Sequence, residues 1–535
     1  MGNPRPERLR TTGVHTPEGQ TTRRLGDVAT AGAAGIASVG AGVASAHLLA
    51  SVLAPAGSPL IAVGGTFIDL TPAWLKEFAI STFGTADKAV LLGGIAATLL
   101  LVAALCGLLA RRSRAAGCAA VALVALVGAV AALSRPASSA IDAVPSLVGA
   151  VVAAAVLGWL TRPAPPALTP VPGGGARGAA PTRRSVLVGS LAVAGGAVAV
   201  AALGSAIGGR LRDVTAARAS VRLPAPSEPA TALADAVDVR IDGVTPFRVP
   251  NDDFYRVDTA LVVPAIDPSG WRLDIGGMVQ RPYSLSYDEL LAMPLVERDL
   301  TLTCVSNEVG GPYVGNALWL GVRLSDLLAR AGVDRAADQL FSRSTDGWTA
   351  STPMGAVTDG RDALVAVAMN GEPLPAEHGF PARMIVPGLY GFVSATKWLV
   401  SLEATTYAQR EAYWTERGWA TDAPVRTMAR IEVPRPLSTV APGAIAIAGV
   451  CWAQHRGIER VEVQVDDEPW VAARLGAAPS IDTWRQWWIP WYATSGRHVL
   501  RVRATDATGE VQPQARLTPF PSGAQGWHEV VVNVG

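Results

Sequence analysis

The chain has 535 residues, 50% of them hydrophobic, and its 45 lysine and arginine residues nearly balance its 44 aspartate and glutamate residues. A net charge of +1 provides no basic surface for nucleic acid, and this length predicts about three domains. The 4 cysteines form no CxxC motif and no Cys/His cluster, so zinc, iron–sulfur and disulfide frameworks have no signature.

Long apolar stretches dominate the first 208 residues. Residues 1–25 are polar and contain prolines and arginines, which predicts a disordered cytoplasmic tail. Residues 26–208 predict a membrane domain, interrupted by a proline- and glycine-rich linker at 161–184. Because about 20 apolar residues cross a bilayer, the sequence predicts about five transmembrane helices, at Val28–Leu53, Ala89–Ala110, Ala115–Leu133, Val144–Leu160 and Ser185–Ile207.

Basic residues flank the predicted helices asymmetrically. With about five crossings, one side of the membrane receives Arg23, Arg24, Arg111, Arg112, Arg114, Arg162, Arg177, Arg183 and Arg184. The positive-inside rule makes this side cytoplasmic, so the chain after about Gly208 is expected on the extracytoplasmic side of the cell membrane. Arg183 and Arg184 precede an apolar stretch, which fits either a twin-arginine export signal or ordinary positive-inside charge.

A tether at 209–237 leads to a region of mixed helices and strands at 238–424. Its local signals are a capping box at Ser286 and Glu289, helix caps at Ser325 and Gly332, and hairpin turns at Asp346-Gly347 and Asn370-Gly371. These signals predict an α+β domain. Residues 425–535 contain short alternating runs separated by turn residues, which predicts an all-β sandwich of immunoglobulin-like design.

The stretch "LTLTCVSNEVGG", residues 300–311, is the first candidate for a functional site. Alternating apolar and hydroxyl residues predict a half-buried strand that ends at Cys304. The polar, glycine-rich run that follows would let a ligand approach the backbone. A soft thiolate in this position suits a bulky metal cofactor, although a cysteine that simply fills a small apolar space remains an alternative.

Three motifs in the second half carry a family resemblance: "TLTCVSNEVGG", "MNGEPLPAEHGFPARMIVPGLYGFVSATKWL" and "GVCWAQHRGIERVEVQVDD". From about Asp238 to the C-terminus the chain resembles the sulfite oxidase family of molybdopterin enzymes. The resemblance implies one molybdenum–molybdopterin per chain, two-electron oxo transfer and a C-terminal domain of the type that mediates homodimers. The expected fold class is therefore an all-α transmembrane bundle, an α+β molybdopterin domain and an all-β sandwich.

The resemblance also implies roles for individual residues. Cys304 matches the catalytic cysteine whose thiolate binds molybdenum. The residues that match cofactor-binding positions are Asn251, Phe254, Tyr255, Cys304, Asp346, His378, Arg383, Ala395, Thr396 and Lys397. The side-chain chemistry of the basic residues agrees with these roles, since guanidinium and ammonium groups are suitable hydrogen-bond donors to a pterin phosphate.

Two departures from the family pattern concern the substrate. Sulfite-oxidising members carry arginine, asparagine and histidine after the paired aromatic residues, whereas this chain has Arg256, Val257 and Asp258. Trp348 occupies the position expected for an active-site tyrosine. The small-molecule substrate is therefore expected to be either a sulfur oxyanion or a sulfoxide.

The sequence also indicates the kind of electron partner and leaves two alternative functions open. The predicted spans contain a single histidine, His47, so no haem is expected, and electrons would pass to or from a separate protein or a quinone. A membrane-tethered binding protein that keeps the fold without the cofactor, and an adhesin built on the sandwich, are the alternatives.

Overall fold

The computed structural model describes residues 17–72, 75, 78–79, 82–83, 86–135, 138–162 and 183–535. The chain divides into two compact units, a helical one that extends to Leu211 and a β-rich one from Arg212 to Gly535. The linker predicted at 161–184 falls mostly outside the described residues, as does most of the tail predicted at 1–25.

The first unit consists of helices. They are α1 (Pro17–Leu53), α2 (Pro59–Leu70), α3 (Asp87–Arg112), α4 (Arg114–Leu133), α5 (Val144–Leu160) and α6 (Arg183–Leu211). Among the described residues, 5 helices are long and apolar enough to cross a membrane, at the places where the sequence predicts them. Two details differ from the prediction. The helix α1 already begins at Pro17, inside the predicted tail, and the short helix α2 was not predicted.

Small residues let these helices approach closely. The helix α1 packs against α3, α5 and α6. A Cβ added at Gly149 of α5 would lie 2.7 Å from the carbonyl oxygen of Gly42 in α1, so only glycine permits this crossing. His47 of α1 is held by two hydroxyls, with Ser58 Oγ 3.2 Å from its Nδ1 and Ser205 Oγ 3.1 Å from its Nε2.

The second unit begins with an α+β region of two sheets. Its strands are β1 (Arg272–Gly277), β2 (Tyr283–Ser286), β3 (Leu295–Thr303), β4 (Val314–Arg323), β5 (Gln339–Ser344), β6 (Thr349–Pro353), β7 (Leu364–Met369), β8 (Glu372–Pro373), β9 (Arg383–Ile385) and β10 (Leu399–Thr405). One sheet has the order β2-β1-β10-β5-β6, and the other has the order β3-β4-β7-β8 with β9 beside β7. One short helix, α7 (Thr215–Ser220), precedes the strands, and four lie between them: α8 (Tyr287–Leu291), α9 (Leu324–Ala331), α10 (Met354–Thr358) and α11 (Gly391–Ser394).

Local signals predicted several of these elements. The capping box at α8 is confirmed, because Glu289 Oε2 accepts from the Ser286 N–H at 2.8 Å and Ser286 Oγ accepts from the Glu289 N–H at 3.3 Å. Gly332 ends α9 with a φ of +68°. The predicted start of α9 at Ser325 is wrong, because the helix begins at Leu324, directly after β4.

Both hairpins are present, with different turns. Asn370 and Gly371, with φ of +51° and +82°, form the two-residue turn between β7 and β8. The turn at Asp346-Gly347 is longer than predicted, because residues 345–348 separate β5 from β6.

The C-terminal region is built from strands only. They are β11 (Met428–Val433), β12 (Thr439–Val440), β13 (Gly443–Trp452), β14 (Ile458–Val465), β15 (Val471–Ala472), β16 (Arg474–Leu475), β17 (Arg485–Ala493), β18 (Gly496–Asp506) and β19 (His528–Val534). Two sheets, β11-β13-β17-β16 and β12-β19-β18-β14-β15, share one apolar core. Trp452 and Trp484 of this region pack instead in the core of the α+β region, so the two regions are joined by apolar contact.

Candidate active site

The strand β3 ends at Thr303 and delivers Cys304 to a short loop, as the sequence predicts. The loop closes on itself through two backbone hydrogen bonds and one to the Asn307 side chain. The Cys304 N–H donates to the Tyr313 carbonyl at 3.0 Å, the Asn307 N–H donates to the Cys304 carbonyl at 3.1 Å, and the Tyr313 N–H donates to Asn307 Oδ1 at 2.8 Å. The backbone of Cys304 is thus fixed, and the residue as a whole is partly exposed.

The strand β3 is buried on both faces, so the half-buried strand predicted from its alternation is wrong. The hydroxyl face lies against the C-terminal region. Thr301 Oγ1 accepts from the Trp484 N–H at 2.8 Å, and Thr303 Oγ1 accepts from Gln454 Nε2 at 2.7 Å. Threonine suits this face because the covering surface supplies hydrogen-bond donors.

The C-terminal region also holds the loop after Cys304. Arg430 Nη1 donates to the Gly311 carbonyl at 2.6 Å, and the same guanidinium pairs with Glu432. Gly310 has a φ of +81°, and a Cβ at this position would overlap the His528 ring. Burial lowers the pKa of His528 to about 4, so the neutral ring accepts the Ile431 N–H through Nδ1 at 3.0 Å. Sequence reasoning missed these contacts, and the Gly310-Gly311 pair was their only local signal.

His378 lies in a one-turn helix, Ala376–His378, and is 4% exposed. Its Nε2 lies 3.1 Å from the Asn251 carbonyl oxygen. Burial, followed by the charges of Lys397 and Arg383, lowers the pKa of His378 to about 3, so the ring is neutral. Since Nε2 then donates to Asn251, Nδ1 is a buried acceptor without a partner among the described residues.

Arg383 begins β9 and is 4% exposed. Its Nη1 donates to the His378 carbonyl at 3.1 Å, and its guanidinium carbon lies 5.1 Å from the centre of the Trp319 ring. Its Nε has no hydrogen-bond partner among the described residues. Burial lowers the pKa of Arg383 to about 10, which leaves it a cation at neutral pH.

Lys397 pairs with a carboxylate that the sequence did not connect to it. Its Nζ donates to Asp258 Oδ2 at 3.0 Å, and Arg256 Nε donates to the same oxygen at 2.8 Å. The Lys397 and Asp258 side chains are 11% and 7% exposed. Burial lowers the pKa of Lys397 to about 8. The next residue, Trp398, is a buried non-glycine residue with a φ of +50°, a conformation that is held by its surroundings.

Tyr255 connects the thiol with the cationic groups. Burial raises its pKa, and the charges of Cys304 and Arg383 act on it in opposite directions, so the phenol stays protonated. Burial likewise raises the pKa of Cys304, against hydrogen bonds from Ser306 and the charge of Lys397. Electrostatic interactions therefore link Cys304 with Tyr255 and Lys397, and Tyr255 with Arg383.

The other predicted residues surround this group. Phe254 stacks on Tyr255 with ring centres 5.2 Å apart and meets the His378 ring edge-on at 5.6 Å. The Asn251 side chain is hydrogen-bonded within the protein, since its Oδ1 accepts from Asn370 Nδ2 at 2.9 Å. Thr396 is buried, with its Oγ1 2.6 Å from Ser342 Oγ, and Ala395 precedes it.

The turn that contains Asp346 reaches the same group through its backbone. The Thr345 N–H donates to the Trp398 carbonyl at 2.9 Å. The Asp346 carboxylate itself accepts from the N–H of Trp348 at 3.1 Å and so stabilises its own turn.

The donors and acceptors of this group fit a cofactor that carries both a metal and an anionic group. No cluster of three or more His, Cys, Asp or Glu side chains that could hold a bare ion occurs in the described part of the chain. A metal at Cys304 would therefore take one ligand from the protein and bring the others with it. His378 Nδ1 and Arg383 Nε are the buried atoms that remain to be satisfied.

Comparison with known proteins places the chain in a family. A family model described as an oxidoreductase molybdopterin binding domain matches residues 260–414. Mitochondrial sulfite oxidase of Homo sapiens is 31% identical over 343 residues, which cover 54% of this chain and 62% of that protein. Sulfite oxidase of Gallus gallus is 30% identical over 319 residues, covering 50% of this chain and 69% of that protein.

Among solved structures, the sulfane dehydrogenase SoxCD from Paracoccus pantotrophus matches 59% of this chain and 98% of that chain, with 22% identity and a TM-score of 0.47. The sequence matches define an oxidoreductase with a molybdopterin-binding domain. The chain belongs to the sulfite oxidase family of molybdenum-cofactor oxidoreductases, and the resemblance drawn from its motifs is confirmed. The chain spans 62% of the length of the Homo sapiens relative.

Proposed function

We propose that this chain is a membrane-anchored, extracytoplasmic enzyme that binds one molybdenum–molybdopterin and catalyses two-electron oxo transfer on a small sulfur compound. The observation that carries the proposal is the pair of unsatisfied buried atoms, His378 Nδ1 and Arg383 Nε. Tyr255 links this pair to the thiol, because both Arg383 and Cys304 act on the pKa of its phenol. A buried polar atom left without a partner costs about 1–3 kcal/mol, which a bound ligand would offset.

Each residue has a distinct proposed role. The Cys304 thiolate is the single protein ligand of molybdenum. Arg383 and Lys397 bind the anionic groups of the cofactor, and His378 Nδ1 accepts a hydrogen bond from it. The contacts expected around these are Asn251, Phe254, Tyr255, Asp346, Ala395 and Thr396. When bound, the cofactor supplies oxo transfer between the +6 and +4 states of molybdenum.

The protein supplies proton control and orientation. The raised pKa of Tyr255 keeps its hydroxyl protonated, so it can donate a hydrogen bond to an oxygen atom of the substrate. The stacked pair of Phe254 and Tyr255 provides apolar ring surface beside His378. Trp348, which carries no hydroxyl, cannot take this role.

The charge arrangement favours an uncharged sulfoxide over a sulfur oxyanion. Asp258 accepts from both Arg256 and Lys397, which reduces the positive charge available to an anionic substrate. Placing an oxyanion beside this buried carboxylate would add a like-charge repulsion. We therefore expect reduction of the sulfoxide bond, with two protons and two electrons consumed and water released.

The first experiment measures molybdenum by elemental mass spectrometry in the full chain, produced in a cofactor-competent host. About one atom per chain is expected in the wild type, and Cys304→Ser is expected to lose oxo-transfer activity towards dimethyl sulfoxide. Cys118→Ser is the matched control, because this partly exposed cysteine lies in α4. Well-folded wild type without molybdenum or pterin would instead favour the tethered binding protein.

The membrane placement rests on the 5 apolar helices and on the arginines that flank them. We expect alkaline carbonate to leave the chain in the membrane. A protease added to intact spheroplasts should cleave after Gly208 or in the connections at 54–87 and 134–139, but not in the tail at 1–25 or the linker at 161–184. Electrons are proposed to come from a separate protein or a quinone. Chemical cross-linking would test a homodimer formed through the C-terminal region.

A further inference from the structure

A cavity lies between the helices of the first unit, at the end where arginines cluster. It has a volume of about 450 Å3. Its floor is made by close helix packing, because a Cβ at Gly35 of α1 or at Gly107 of α3 would overlap the backbone of the other helix. Beyond this crossing the two helices leave a space that small and apolar residues line: Ala31, Ala34, Gly107, Ala110, Leu160 and Val186.

The rim of the cavity is strongly basic. Arg111, Arg112 and Arg114 line it where α3 ends and α4 begins. Asp27 is the acidic residue of the rim and pairs with Arg183 at 2.5 Å and with Arg111 at 3.5 Å. The rim therefore keeps an excess of positive charge.

The arginines differ in how far they are engaged. Arg114 donates to the Thr161 carbonyl at the end of α5, at 3.1 Å from Nε and 2.5 Å from Nη2. Its guanidinium thus closes one side of the cavity. The Arg112 guanidinium is exposed and makes no ion pair or side-chain hydrogen bond with any residue in the described ranges. Arg112 and the weakly paired Arg111 are thus available to an outside anion.

A basic rim above an apolar floor matches a molecule with an anionic head and an apolar body. We propose that this cavity binds an anionic phospholipid, with its phosphodiester at Arg111 and Arg112 and its apolar part against the apolar residues that line the cavity. Basic pockets between transmembrane helices on the cytoplasmic side recognise such headgroups. Free phosphate would use the rim but not the floor. The inference rests on the membrane placement proposed above and is independent of the active site.

The test uses the full chain purified in a neutral detergent, with phosphatidylglycerol as the probe and phosphatidylcholine as the uncharged comparison. Native mass spectrometry counts the lipids retained, and thermal unfolding measures the shift in Tm that each lipid produces. We expect phosphatidylglycerol to be retained and to raise Tm. The double variant Arg111→Gln/Arg112→Gln should lower the affinity for phosphatidylglycerol about tenfold or more, because two phosphate donors are lost.

Two further variants make the result specific. Arg135→Gln removes an arginine beyond the opposite end of α4, so it should retain phosphatidylglycerol like the wild type. Arg112→Lys keeps the charge and should lose less than Arg112→Gln. The Tm of each variant without lipid shows whether it folds.

Several outcomes would overturn the proposal. Equal retention of both lipids, or equal loss in Arg135→Gln, would mean that ordinary annular lipid was measured. Inorganic phosphate that raises Tm as much as phosphatidylglycerol would mean that the rim binds free phosphate. Release of the chain by alkaline carbonate would contradict the membrane placement itself, whereas lipid-independent retention in an integral chain would contradict only this site.

Discussion

The two sides of the candidate site bury cations in opposite ways. On the His378 side, formed by His378 and Arg383, the guanidinium is 4% exposed and has no carboxylate partner among the described residues. On the Asp258 side, formed by Arg256, Asp258 and Lys397, the ammonium is similarly buried but pairs with Asp258 at 3.0 Å. A buried charge is expensive unless it is paired, so the first side requires a ligand. On the second side the charge of Lys397 is already paired with Asp258, and its other N–H donors are left for the cofactor.

This contrast predicts that the two sides respond differently to loss of their cation. Arg383→Met should lower the molybdenum content at least about tenfold, because the donor to the cofactor is lost. The same variant should raise the Tm of cofactor-free protein, because an unpaired buried charge is removed. Elemental mass spectrometry and thermal unfolding check the two effects, with the exposed Arg343→Met as control. A cofactor-free Arg383→Met protein that melts below the wild type would show that the guanidinium is satisfied without a ligand.

The pKa of His378 makes the His378 side sensitive to acid. Burial first, and then Lys397 and Arg383, lower this pKa from 6.5 to about 3. His378 therefore binds a proton below about pH 6.5 in the unfolded chain, but only near pH 3 in the folded chain. The free energy of unfolding is highest above pH 6.5 and falls as the pH decreases towards 3. Between pH 7 and pH 4 the loss is about 3 kcal/mol.

Denaturant unfolding of cofactor-free protein at a series of pH values measures this loss. His378→Gln, which can still donate to the Asn251 carbonyl, should flatten the curve over this range. His528 contributes in the same direction, because burial lowers its pKa to about 4, so some slope should remain in the variant. Identical curves for the variant and the wild type would place the acid sensitivity elsewhere.

Asp258→Asn should convert the satisfied side into one that requires a ligand. Arg256 and Lys397 would lose their shared carboxylate, which destabilises cofactor-free protein by about 2 kcal/mol at neutral pH. Sulfate should then raise the Tm of the variant more than that of the wild type, and sulfite should become a better substrate relative to dimethyl sulfoxide. Asp267→Asn, an exposed carboxylate that accepts from Ser269, is the control. A wild type that already prefers sulfite would contradict the sulfoxide assignment.

The two sides also differ in how much the sequence could reveal. The "HGFPAR" spacing places His378 and Arg383 five residues apart, so a motif captures both, and the strand pattern before Cys304 is equally local. The Asp258–Lys397 pair spans 139 residues, and no local pattern connects them. The apolar helices were predictable because crossing a membrane requires only length and composition.

The burial of β3 on both faces was likewise not predictable from the local sequence. Alternation along Leu300–Thr303 states which residues share a face, but it does not state what covers that face. The covering residues, Gln454 and Trp484, come from a region more than a hundred residues further along the chain. The immunoglobulin-like design of that region and the domain boundaries drawn from the sequence stay predictions.

The smallest expected effect concerns the contact between the C-terminal region and the Cys304 loop. Gly310→Ala meets two penalties, a φ of +81° and overlap with the His528 ring. Gly360→Ala is the matched control, because Gly360 has a φ of +94° and open space around its Cβ position. The backbone penalty common to both is about 1 kcal/mol. If the ring contact positions the loop, Gly310→Ala should be the less stable variant, and it alone should lower molybdenum content. Equal loss in both variants would mean that only backbone conformation matters there, and that the C-terminal region does not set the position of Cys304 through His528.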